Sequence, residues 1–184
     1  MNELNLLFEG NERYIENKPK PKDLKARRIE TISGQKPFVT IVSCSDSRVV
    51  PEYIFDANIG ELFIIRVAGN VVDSCALGSI EYGVEHLHTP LLVVLGHEKC
   101  GAVTAACNAV CEKNNIDFII DKIKPAICKV GSENVEYTID ENIRCTLNYI
   151  QGASKVLKEK ISHGKLKVVG MKYSFTTGKT ELVE

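Results

Sequence analysis

The chain has almost no excess charge, with 23 lysine and arginine residues against 24 acidic ones and a formal net charge of -1. That balance gives no global pull toward nucleic acid or an anionic membrane, so neither is expected as a partner. No apolar run approaches the roughly 18 residues of a membrane span. The opening Met1-Asn2-Glu3-Leu4-Asn5-Leu6 also lacks the basic and then apolar stretches of a secretory leader. Seven cysteines, at positions 44, 75, 100, 107, 111, 128 and 145, form an odd set without a compact disulfide framework. This points to a reducing compartment with thiols free for metal, and a cytoplasmic protein is the consistent expectation. Internal repeats and low-complexity tracts are missing too. A chain of 184 residues with 44% hydrophobic content suits one well-buried domain better than two.

What is present is periodic. Leu4, Leu7, Phe8 and Ile15 share one face of a helix predicted over residues 2–16. Lys18-Pro19-Lys20-Pro21-Lys22 cannot be helical, and it reads as a solvated linker because no aromatic residues interleave its charges. A short helix ending at Gly34 follows. Short β-branched, apolar runs at 38–43, 61–66, 90–96 and 166–171 predict four strands, with a short edge strand at 180–183. Between them lie helical patterns. One is opened by Pro51, one capped by Ser74, and one spans Cys100 to Cys111 with Val103 and Cys107 on its stripe. Another runs from Ile116 to Val130, interrupted or kinked near Pro125. A long helix starts at a capping box of Thr138 and Glu141 and stops at Gly164. Alternating strands and helices imply an α/β fold with a mostly parallel four-stranded sheet, a short fifth edge strand and flanking helices.

The chemistry gathers at two strand ends. Cys44-Ser45-Asp46-Ser47-Arg48 follows the first strand, and His97 with Cys100 follows the third, in Gly96-His97-Glu98-Lys99-Cys100-Gly101. In open parallel sheets, ligands bind beyond the carboxyl ends of the strands where strand order reverses. Two cysteines and a histidine suit zinc and leave its fourth tetrahedral position free, as in a catalytic site. Two thiolates cancel the dication's charge, so the centre is formally neutral before a fourth ligand arrives. Asp46 and Arg48 sit two and four residues beyond Cys44, and an extended loop would point all three side chains one way. Asp46 is then a conditional fourth ligand. On zinc it blocks the open position, and paired with Arg48 it leaves room for water. Thiolates donate more charge than imidazoles, so activity is expected to rise toward alkaline pH.

Other features have plainer explanations. Cys107 and Cys111, and singly Cys75, Cys128 and Cys145, are expected in the core. His86, His88 and His163 lie near helix ends as C-terminal cations. Gly178-Lys179-Thr180 copies the tail of a P-loop, but position 173 is tyrosine and too little chain follows for the helix that motif needs.

The residues also resemble the β-class carbonic anhydrases. The match comprises Cys44-Ser45-Asp46-Ser47-Arg48-Val49, the Arg66-x-Ala68-Gly69-Asn70 turn, Ser79-x-Glu81-Tyr82 and Gly96-His97-x-x-Cys100-Gly101-Ala102. It extends from about Leu7 to Gly178. The resemblance implies one zinc ion per subunit on Cys44, His97 and Cys100, with Asp46 and Arg48 as a catalytic dyad. It implies reversible hydration of carbon dioxide to bicarbonate by attack of zinc-bound hydroxide. It also implies a homodimer or higher even-numbered oligomer in which the helical arm, residues 1–34 of the single 1–184 domain, packs on a partner subunit. The same site on carbon disulfide or carbonyl sulfide, and a non-catalytic zinc or bicarbonate-binding homologue, are the alternatives. One branch of the family has a tryptophan three residues before the first zinc cysteine, in a regulatory bicarbonate pocket. Here that residue is Ile41 and the chain has no tryptophan, so no bicarbonate-locked form of that kind is expected.

Overall fold

The structure is a computed structural model that describes residues 2–110 and 113–184. Among these residues five strands form one sheet in the order β2-β1-β3-β4-β5. They are β1 (Val39–Ser43), β2 (Leu62–Arg66), β3 (Leu91–His97), β4 (Lys167–Tyr173) and β5 (Thr180–Val183). The first four run parallel, and β5 lies antiparallel on the edge beside β4. From β1 the chain passes to β2 on one side, then crosses β1 to place β3 on the other. The carboxyl ends of β1 and β3 therefore flank the point where strand order reverses.

Both central strands are buried throughout, as apolar runs without alternation require of a sheet covered on two faces. Leu92 and Val94 of β3 join one core with α4 (Ser74–Glu85), α6 (Ile116–Val130), α7 (Val135–Ala153) and α8 (Lys155–Ser162). Leu91, Val93 and Leu95 face the opposite way, toward α1 (Glu3–Ile15) and α3 (Pro51–Ile54). The shorter helices α2 (Leu24–Glu30) and α5 (Gly101–Cys107) complete the set. A Cβ on Gly96 or Gly170 would come within 2.6 Å of Ile143 side-chain carbons, so the two strand glycines form the notch that seats α7 on the sheet.

Several boundaries differ from expectation. Asp73, not Ser74, caps α4, its carboxylate accepting from the Ala76 N–H at 2.7 Å. α7 starts at Val135 under an Asn134 cap, so the expected capping box lies inside the helix. The Thr138 hydroxyl instead donates back to the Asn134 and Gly131 carbonyls. The long helix breaks at Ser154, whose extended backbone and side-chain oxygen end α7 and cap α8. α6 continues through Pro125, which withdraws one donor without ending the helix. Cys100 caps α5 instead of lying within it, and Cys111 falls outside the described residues. Cys75 and Cys128 are exposed, contrary to the core placement expected of them.

The apolar face of α1 is occupied by its own chain. Leu4 and Leu7 are buried with Ile54 and Phe55, and Phe8 packs beside them. The exposed large apolar residues described in the arm are Ile15 at the end of α1 and Leu24, Ile29 and Ile32 on and after α2.

Candidate metal centre

Cys44, His97 and Cys100 converge, with one ligand atom from each lying within 4.8 Å of the others and all three residues buried. Cys44 leaves β1 and turns its sulfur under two backbone N–H groups, those of Asp46 at 3.4 Å and Gly69 at 3.3 Å. Gly69 stands at φ +66°, and a side chain there would press on Ala102 and Ile123 at 3.1 Å. Asn142 of α7 holds the next peptide, donating to the Gly69 carbonyl at 2.9 Å.

His97 ends β3. Its Nδ1 lies 2.8 Å from the Glu98 carbonyl oxygen, which can only accept, so Nδ1 carries a proton and the neutral ring offers its lone pair at Nε2. Nε2 is buried with no hydrogen-bond partner, an orphaned acceptor aimed where the sulfurs lie. Cys100 adds its sulfur beside the first N–H groups of α5.

The Cys44 thiol is drawn down to about 4, first by the Cys100 thiol donating to it and further by His97 and the two N–H groups, against the effect of burial. Cys100 is pushed up, chiefly because it gives that hydrogen bond, with burial adding to the effect. A ready thiolate, a second thiol beside it and an unpartnered imidazole lone pair fit the donor set of zinc.

Asp46 and Arg48 meet as a two-toothed fork. Arg48 Nε donates to Oδ1 at 3.0 Å and Nη2 to Oδ2 at 2.8 Å, while the Arg48 backbone N–H also reaches Oδ1 at 3.0 Å. The fork holds the Asp46 carboxyl well below the usual carboxylate range. The loop is not extended as expected. A Val49 N–H bond to the Asp46 carbonyl closes a turn, and that turn brings Arg48 back onto Asp46.

Other residues hold the site without having been marked for it individually. Arg66, at the end of β2, donates to the carbonyls of Cys44, Asp46 and Val49 and so clamps the whole loop. Its place in the Arg66-x-Ala68-Gly69-Asn70 pattern was the available signal. Phe175, beyond β4, lies with its ring 4.1 Å from the Arg48 guanidinium carbon and 5.2 Å from the His97 ring. The Glu98 carboxylate accepts from Ser174 and Thr176 on either side of Phe175. Of the remaining sequence candidates, His86 and His163 sit at the carboxyl ends of α4 and α8, and Gly178-Lys179 lies in the turn between β4 and β5.

Comparison with known proteins agrees with this geometry. The profile of the family described as "Carbonic anhydrase" matches residues 39–180. The chain is 36% identical over 184 residues to "Carbonic anhydrase 2" of Mycobacterium tuberculosis, covering 96% of this chain and 89% of that protein. It is 30% identical over 196 residues to a carbonic anhydrase of Helicobacter pylori, with 95% and 85% covered. Among solved structures it resembles the β-carbonic anhydrase CcaA, with TM-score 0.76, 24% identity and coverage of 97% and 86%. The Coccomyxa β-carbonic anhydrase in complex with acetazolamide superposes with TM-score 0.73, 25% identity and coverage of 100% and 87%.

Proposed function

This chain belongs to the β-class carbonic anhydrase family and is a zinc-dependent enzyme for the reversible hydration of carbon dioxide, and we propose that Asp46 and Arg48 orient the reacting water. Cys44, His97 and Cys100 would hold the zinc, which would supply a Lewis acid that lets water ionise near neutral pH. The two thiolates balance its charge, and the Glu98 carbonyl keeps His97 in the tautomer that offers Nε2.

Asp46 would act as a hydrogen-bond acceptor. A carboxylate gripped by a fork from one side still has lone pairs on its open side, and a water hydrogen directed there aims the oxygen lone pair at carbon dioxide. Arg48 keeps that carboxylate ionised and in place. Its grip also opposes movement of Asp46 onto the metal, where the carboxylate would close the position that water needs. The bidentate pairing of Asp46 with Arg48 is the observation that carries this reading.

Stopped-flow hydration assays on zinc-loaded Asp46→Ala and Arg48→Ala test it. Each substitution is expected to lower kcat/KM by about tenfold to a hundredfold, with zinc content unchanged, since one lost orienting contact in a reacting site has effects of that order. A fully active Asp46→Ala enzyme would exclude the role.

We further propose a cytoplasmic homodimer, or a higher even-numbered oligomer, built with the arm. Free thiols at all six described cysteines support the reducing location, and no helix of the described residues is long and apolar enough to cross a membrane. Exposed Leu24 and Tyr53, which line a cleft with Leu62 of the edge strand β2, and exposed Ile29 and Ile32 support the association. Sedimentation as a monomer at micromolar concentration would exclude it.

A further inference from the structure

Arg48 is more than half exposed, and an ion pair that open to water does not by itself hold two side chains in one geometry. The fork on Asp46 therefore needs a second support. The guanidinium has one, because its carbon lies 4.1 Å from the centre of the Phe175 ring. At that distance the planar cation meets the electron-rich face of the ring, an electrostatic attraction as well as a packing contact.

The ring is itself fixed from three directions. The Tyr173 ring meets it edge-on at 5.5 Å, the His97 ring lies at 5.2 Å, and the two residues beside it in sequence are tied to Glu98. Glu98 accepts from the Thr176 N–H at 2.8 Å, from the Thr176 hydroxyl at 2.9 Å and from the Ser174 hydroxyl at 3.2 Å. Glu98 directly follows the ligand His97. The turn from β4 to β5 is thus pinned to the metal-ligand strand, and it delivers an aromatic face to the residue that grips Asp46.

We propose that Phe175 is a positioning residue, holding the Arg48 guanidinium by a cation–π contact and through it the Asp46 carboxylate. The proposal rests on the orienting role of Asp46 and Arg48 given above. It assigns a part in the reaction to the turn between β4 and β5, whose residues neither ligate the metal nor belong to the dyad.

Fluorinated phenylalanines at position 175 test it, because successive fluorines weaken the negative face of the ring while nearly keeping its shape. In the zinc-loaded enzyme, kcat/KM for hydration should fall stepwise from phenylalanine through trifluoro- to pentafluorophenylalanine, by about three- to tenfold in all, with zinc content constant. Phe175→Tyr should retain most of the activity and Phe175→Leu should resemble the pentafluoro enzyme. The Arg48 Nε–H resonance should shift in step with fluorination, and the activity series should become flat in an Arg48→Ala background. A rate indifferent to fluorination, or an equal decline without Arg48, would overturn the proposal. Should the wild-type enzyme fail to hydrate carbon dioxide, the functional reading falls, and an Arg48 resonance unmoved by fluorination would separately dispose of the contact.

Discussion

The Cys44 sulfur accepts two backbone N–H bonds and lies beside the Cys100 thiol, so it needs little rearrangement to become a ligand. Such preparation depends on peptide groups, and side-chain identity alone does not reveal it. The three ligands were readable in the sequence because few residue types bind zinc and both pieces fell at strand ends. Asp46 and Arg48 were readable as a pair, although the turn that joins them was not. Phe175 could not be found that way, since an aromatic residue after a strand reads as core until its ring is seen over Arg48. The orienting role also separates charge from shape at Asp46. Asp46→Asn keeps the size of the side chain but loses the ionic grip of Arg48 and presents an amide donor where an acceptor is needed. Its kcat/KM is expected to fall nearly as far as that of Asp46→Ala in the same stopped-flow assay.

At the scale of elements, all five strands and the helical segments were foreseen, because buried strands and amphipathic helices carry strong periodic signals. Their ends were less legible. Ser154 interrupts what reads as one apolar stripe, and Asp73 and Ser74 are both acceptable caps whose choice depends on how the chain enters α4. Helix packing distances were invisible as well. A Cβ on Gly10 would stand 1.9 Å from the Phe55 carbonyl oxygen, whereas one on Gly78 meets nothing within 4 Å. Gly10→Ala must push α1 away from α3 and is expected to destabilise by about 3 kcal/mol, at the upper end of overpacking costs. Gly78→Ala, free of such contact in the middle of α4, should stabilise by about 0.5–1 kcal/mol. Chemical denaturation of the two variants checks the contrast.

Across the whole molecule, the arm is joined to the loop between α3 and β2 by a buried charge. The Asp56 carboxylate is nearly inaccessible and receives Arg13 at 2.6 Å, Lys22 at 2.5 Å and the Lys20 N–H at 3.0 Å. Burial would raise its pKa, but these partners prevail and bring it down to about 2. A depressed folded-state pKa contributes stability that is present above the unfolded value near 4 and is lost as pH falls toward 2. The contribution is about 2 kcal/mol. Asp56→Asn should therefore lower Tm clearly at pH 7, with the gap to wild type narrowing between about pH 4 and pH 2, as thermal melts across pH would record. The arm's docking is thus a property of the whole fold, which its apolar pattern alone could not disclose.

Asn11 makes that joining long-range in sequence. Its amide donates to the carbonyls of Ile54 and Gly178 at 3.1 and 2.8 Å, while its oxygen accepts from the Thr180 N–H at 2.8 Å and from the Thr180 hydroxyl at 3.2 Å. Groups 167 and 169 positions apart must therefore meet before the Asn11 side chain has all of its partners. Such distant pairing is slow to form, because the loop must close before the contact rewards it. The strand that closes the sheet edge thus also completes the polar pairing of α1, so edge closure and arm docking are one event.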